Sequence, residues 1–150
     1  MSGRAAIVHD LALENYGFGG DHPFNPLRVR LALELCEALG LLEDYPFVSP
    51  RPATEDDLTT VHTITYVRMV QKAGRSHSPP SDLLDYGLGT PDNPIFPDMH
   101  EACARVVGGV LAACRLVMAG EADHAMCISG GLAGFVGVNE LMGVHHRFAC

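Results

Sequence analysis

A chain of 150 residues with 47% hydrophobic side chains and a formal charge of -8 is long enough for one domain with its own core, and a single domain over residues 1–150 is the expectation. Its basic residues are scattered rather than clustered, which argues against a direct nucleic-acid surface and against attraction to anionic lipid; a basic partner such as a lysine-containing peptide or a polyamine would be electrostatically welcome. No apolar run approaches the roughly 20 residues of a membrane span, and five cysteines with no CxxC pair and no signal peptide read as reduced, mostly buried thiols of a cytoplasmic protein.

Ala5 to His9 is a short apolar run with β-branched residues, suited to the first strand of a parallel sheet. Asp10 to Gly20 then carries Tyr16, Phe18 and three glycines, the composition of a loop over a sheet end. Pro23 and Pro26 stiffen the approach to a helix, with Asn25 as N-cap and Leu27, Leu31, Leu35 and Leu39 as a strict i, i+4 stripe that should dock on the core before Gly40 ends it. Pro46 to Pro52 reads as an extended surface connection. Thr54, with Asp57 three residues on, opens a short helix to about Val61, and His62 and Thr63 precede a second in which Ile64, Val67 and Val70 face inward, closed by Gly74. Arg75 to Asp85 reads as a loop.

Residues 87–132 organise the rest. Gly89, Pro91, Asp92, Asn93, Pro94 and Pro97 make a stiff polar loop. A long helix follows, with Asp98 as N-cap, Glu101 in the capping-box position and Gly120 as the left-handed stop. Ala102, Val106, Val110, Ala113 and Val117 form its apolar face, and Gly108 and Gly109 imply close packing at mid-helix. Asp123 to Ile128 supplies the next strand, followed directly by Ser129, Gly130 and Gly131. The order strand, helices, strand gives an α/β fold, a parallel sheet flanked by helices, with ligands expected at the carboxyl ends of strands, after His9 and after Ile128.

Several residues are chemically able. His145 and His146 form an adjacent imidazole pair, fit for a proton relay or a metal ligand, or else simply exposed near position 150. His22 could act as a base or bond the backbone of its own loop, and His62 could cap the helix before it. Asp92, held between prolines, is pre-organised to accept hydrogen bonds from a ligand's amides, or else caps its own turn with Asn93.

The run YGFGGDHPFNPLRV at 16–29 resembles the first loop of the histone deacetylase superfamily, particularly its acetoin-utilisation and acetylpolyamine amidohydrolase-like branch. VHTITYV at 61–67 is similar to that family's H-x-x-x-Y-[VI] segment, GLGTPDNPIFPDMHEA to its aspartate-bearing rim loop, and the likeness continues through GGVLAACRLVMAGEADHAMCISGGL. The resemblance implies a zinc-dependent amidohydrolase on an arginase-like fold, removing acetyl groups from lysine side chains, polyamines or related amides; the metal would polarise the carbonyl and activate water while histidines move the proton. It implies substrate-binding roles for Tyr16, His22, Gly130, Gly131 and the rim residue Asp92, and makes Gly130, Gly131 and Leu132 the turn before the catalytic histidines.

The chain then departs from that pattern. Where the family follows GGL with two histidines, Ala133, Gly134 and Phe135 stand here, as though the histidine-bearing loop were deleted. GVHH at 143–146 resembles the family's D-x-H-H segment with Gly143 in place of its aspartate, which leaves His145 as the candidate metal ligand and His145 and His146 as the candidate catalytic pair. A catalytic zinc needs about three protein ligands. The expectation is therefore an amino-terminal portion of the family, truncated or degenerate, binding zinc weakly or not at all and inactive alone. The alternatives are a binding or homo-oligomeric assembly module on the same partial fold, using the Asp92 loop or an exposed apolar face against a partner, with an open sheet edge favouring association, and an enzyme using His145 and His146 in new roles.

Overall fold

The computed structural model describes residues 4–18, 25–76 and 80–129. β1 (Ala5–Val8) is the middle of a parallel sheet, flanked by β2 (Phe47–Val48) and β3 (His124–Met126). Ile7 registers with Phe47 on one side and Met126 on the other. Ala6, Ile7 and Val8 are buried, as a strand covered on both faces requires. β2 lies inside the proline-spaced stretch read as a plain connection; two residues carry too little periodicity to reveal a strand, and its partner is what defines it.

α1 (Leu27–Ala38) corrects one expectation. Asn25 does accept the Leu27 N–H, at 2.9 Å, but the leucine stripe does not dock. Leu27, Leu31, Leu35 and Leu39 are 41%, 54%, 59% and 62% exposed, and the buried side chain of this helix is Val29. Successive i+4 positions advance about 40° around a helix, so a strict stripe winds off any straight contact line. The inward face is carried instead by Val29, with Ala32, Leu33 and Cys36 half-buried.

α2 (Glu55–Thr59) begins with the capping box read from Thr54 and Asp57. The Thr54 backbone N–H and hydroxyl both donate to Asp57 Oδ2 at 2.9 Å, and Arg51 and Arg115 reach its two oxygens at 3.2 Å. The Thr54 bonds, with Arg51 assisting, lower the Asp57 pKa from 3.8 to about 2. Because the folded pKa is depressed, the stability this carboxylate contributes is complete above the unfolded value and is lost as pH falls through about 2. Asp57→Asn should flatten the acid limb of a urea-unfolding series between about pH 5 and pH 2, while lowering stability at neutral pH.

α3 (Ile64–Arg75) buries Val67, Val70 and Ala73. It runs through Gly74 rather than stopping there, because Gly74 is a contact point: its carbonyl accepts the Asp98 N–H at 3.2 Å. α4 (Met99–Met118) starts where predicted but not as predicted. Asp98 sits at φ 56 with no side-chain cap bond, and Glu101 pairs with Arg75 across the α3–α4 seam instead of folding back. Gly120, at φ +69, follows the last turn as expected. Of the predicted apolar face, Val106 and Ala113 are buried and Ala102 and Val110 half-buried, whereas Val117 is exposed. Both mid-helix glycines are buried, and a Cβ on Gly109 would lie 2.7 Å from Cys127 Sγ. That closeness seats α4 on the sheet beside β3. The four described cysteines, Cys36, Cys103, Cys114 and Cys127, are half-buried thiols.

Two apolar clusters result. Val70, Ala73, Leu83, Leu88, Phe96 and Met99 close the α3–α4 end beneath the proline loop. Ala53, Leu58, Val67 and Ala104 hold α2 and the Arg51–Ala53 connection against α4.

Candidate functional site

The proline loop before α4 owes its shape to Asn93, which is buried while Asp92 beside it is exposed. The Asn93 N–H donates to the carbonyl and hydroxyl of Thr90, each at 3.1 Å; its side-chain amide donates to the Gly87 carbonyl at 2.9 Å; and its own carbonyl accepts the Gly89 N–H at 2.9 Å. Gly89, at φ +80, supplies the left-handed turn that this ring of bonds requires. The loop is thus fixed by its backbone and by Asn93, so Asp92 is presented outward rather than used up in closing the turn. An Asn-Pro pair in a turn is the signal in the sequence, and its structural role exceeds the helping part read for it.

Below the loop, Ile95 and Phe96 turn into the core. Phe96 meets Phe18 edge to face at 4.9 Å and stacks on Tyr16 at 6.3 Å, and Tyr16 meets Phe18 at 5.8 Å. The structure therefore brings Tyr16 to the loop that carries Asp92, joined through Phe96. Burial pushes the Tyr16 hydroxyl pKa up, and the Arg28 guanidinium partly opposes the shift, so at neutral pH Tyr16 is a neutral donor. On the far side, His62 stacks with Tyr66 at 4.9 Å and Tyr66 faces Tyr86 at 6.4 Å. Nearby, burial lowers the His100 pKa, and its Nε2 lies 3.2 Å from Gln71.

The carboxyl end of β1 is also organised. Asp10 accepts from Ala12 N at 2.9 Å and from Ser49 Oγ at 2.7 Å, turning the chain through a short 3-10 segment so that Glu14 meets His9 Nε2 at 2.9 Å. Both side chains of that pair are largely buried. The pairing went unread because the residues sit five apart with no regular element between them. At the end of β3, Ser129 is fully buried, its hydroxyl without a hydrogen-bond partner among the described residues.

His22, Gly130, Gly131, His145 and His146 lie outside the described residues. Among those described, no three of His, Cys, Asp or Glu come together to hold a metal ion. The described side chains do not fit a catalytic zinc, and no chemistry is assigned to one through them. No helix of the described residues is long and apolar enough to cross a membrane.

The profile of the histone deacetylase domain matches residues 22–133. The acetoin utilization protein AcuC of Bacillus subtilis (strain 168) is 40% identical over 128 residues, which are 85% of this chain and 33% of that protein. The proteins of the same name from Staphylococcus aureus (strain MRSA252) and Staphylococcus xylosus are 35% and 33% identical over 86% and 88% of this chain. The chain spans about a third of the length of these relatives, corresponding to their amino-terminal part. The domain profile and these relatives agree with the parallel sheet and the aspartate loop: the chain belongs to the histone deacetylase domain family.

Proposed function

We propose that this chain supplies the substrate-gripping rim of an acetyl-amide hydrolase, with Asp92 as the residue that accepts hydrogen bonds from the backbone amides of an acetylated lysine peptide or an equivalent acetylated amine. The observation that carries the reading is the Asn93-braced loop, which leaves the Asp92 carboxylate exposed on a fixed support. A carboxylate held in place loses little freedom when it binds, so its hydrogen bonds contribute more fully. Tyr16, joined to this loop through Phe96, forms part of the same wall.

On this reading hydrolysis is not a property of the chain by itself. Ala133 follows Leu132 where the family pattern has its histidine pair, and the relatives are about three times as long as the matched stretch. Purified chain incubated with zinc and an acetyl-lysine peptide should show no turnover; chelator-sensitive turnover would overturn the proposal. Binding is measured separately, by amide chemical-shift titration with the same peptide. Asp92→Ala should weaken it about five- to tenfold, the loss expected for a charge-assisted hydrogen bond at an exposed site. Asn93→Ala should weaken it as well, by loosening the loop, and should also lower the melting temperature, which Asp92→Ala should not.

A non-catalytic assembly role is the second reading. It is favoured by one observation, the exposed leucines of α1.

A further inference from the structure

The buried pair at the end of β1 is a poor way to add stability. His9 Nε2 stands 2.9 Å from Glu14 Oε1, and the two side chains are only 8% and 13% exposed. A carboxylate only accepts, so Nε2 carries the hydrogen. His9 Nδ1 is buried with no hydrogen-bond partner, which leaves Glu14 as the ring's anchor among the described residues. Polar groups at this depth cost stability unless paired, and a pair does little more than offset its own desolvation. Two apolar side chains of similar volume would fill the space at no loss. What the hydrogen bond adds, and an apolar contact lacks, is direction.

Direction matters at this point of the chain. The 3-10 turn Leu11–Leu13 is pinned to the core by Leu13, which is 1% exposed and lies under Gly109 of α4. That apolar contact sets the depth of the turn and leaves its rotation open. Asp10, accepting from Ala12 N and Ser49 Oγ, fixes where the turn begins. Residues 15–18 then belong to no helix or strand, and around Gly17 an added Cβ would meet nothing within 4 Å. Tyr16 lies two residues past Glu14, at most about 7 Å of extended chain. It has to arrive with its ring stacked on Phe96 and its hydroxyl bonded to Arg28.

We infer that His9 and Glu14 are positioning residues for substrate binding: their bond ties the exit of the turn back to the end of β1 and so holds Tyr16 in the wall under the Asp92 loop. They act through Tyr16, with no substrate contact of their own. A wall held in place before the ligand arrives loses less freedom on binding, which is the benefit that justifies a buried polar pair here. The functional meaning of the pair rests on the rim reading, whereas its hold on Tyr16 is measurable without any ligand.

The test labels the 150-residue chain with 3-fluorotyrosine, which gives one fluorine resonance for each of its four tyrosines, and Tyr16→Phe assigns the one that matters. Affinity for the acetyl-lysine peptide is read on the unlabelled chain by amide chemical-shift titration. Glu14→Ala and His9→Ala should each displace and broaden the Tyr16 resonance, leave the other three in place, and weaken the peptide about three- to tenfold. Glu14→Gln keeps an acceptor for Nε2 and should restore both readouts. His9→Leu/Glu14→Leu separates positioning from stability. Its melting temperature should equal or exceed the parent's, while the Tyr16 resonance stays displaced and binding stays weak. A merely structural pair would recover all three together. Glu34→Ala, on the exposed side of α1, removes the same charge and should change neither readout. An unmoved Tyr16 resonance in the leucine pair overturns the inference, even where the alanine variants fail to fold, and so does parent affinity in a chain whose Tyr16 has moved. If the parent chain binds no peptide, it is the rim reading that fails, and the fluorine resonance of the leucine pair alone decides whether His9 and Glu14 hold Tyr16.

Discussion

Gly108→Ala should destabilise the fold by about 2–4 kcal/mol, even though alanine is the better helix former by about 1 kcal/mol. The added Cβ would overlap the Arg51 carbonyl oxygen and lie 2.8 Å from the Ala53 nitrogen and 2.9 Å from the Pro52 carbonyl carbon. All of these are backbone atoms, so no rotamer change relieves the overlap. The Arg51–Ala53 connection must move, and it is tied at that point by the Ala53 N–H to the Ala104 carbonyl, at 2.8 Å. Moving it breaks that bond and loosens the cluster of Ala53, Leu58, Val67 and Ala104. The backbone clash outweighs the propensity gain. Urea unfolding measures the difference, with Gly17→Ala as the control, since a Cβ there meets nothing within 4 Å. A Gly108→Ala chain as stable as the parent would mean that α4 does not approach this connection as described.

The other large effect is expected at Met99. Its side chain is fully buried at the first turn of α4, within the cluster formed by Val70, Ala73, Leu83, Leu88 and Phe96. Met99→Ala should cost about 2–5 kcal/mol, the loss of buried apolar contacts plus the cavity left behind. Its partner across the seam is Gly74, where a Cβ would stand 2.9 Å from Met99 Cγ and 3.0 Å from Met99 N. Gly74→Ala alone is therefore destabilising through overpacking. In the Met99→Ala background the side-chain half of that clash is gone and only the backbone half remains, so the double mutant should be more stable than the sum of the singles predicts. Thermal unfolding of the four chains gives the coupling; strict additivity would show that the two residues do not meet.

Local signals in this sequence were legible where a few neighbouring residues decide the outcome. Thr54 and Asp57 form their capping box, Gly120 takes its left-handed turn, and the apolar runs at Ala5 and His124 become parallel strands. Expectations failed where a distant partner competed. Glu101 is near enough in sequence to cap α4, but Arg75, from another helix, offers a charged partner, and Asp98 is left in an unusual conformation whose N–H is held by Gly74. The α1 stripe was read correctly as apolar and wrongly as docked, because a strict i, i+4 repeat drifts around the helix and the inward face falls to Val29 with Ala32, Leu33 and Cys36. At the candidate site, a stiff loop carrying Asp92 was legible from the prolines around it. Asn93 as the brace and Phe96 as the link to Tyr16 were not, since both depend on contacts that only the folded chain creates.

The two edges of the sheet are chemically unequal. β2 is two residues long and bounded by Pro46 and Pro50, which have no N–H to offer an incoming strand, so pairing beyond it would find almost no ladder to join. That brevity makes the two flanks unequal templates: among the described residues β3, at three residues, is the longer edge and carries no proline. The segment Pro46-Phe47-Val48-Ser49-Pro50 thus acts as a terminator, protecting its flank of the sheet from promiscuous strand addition.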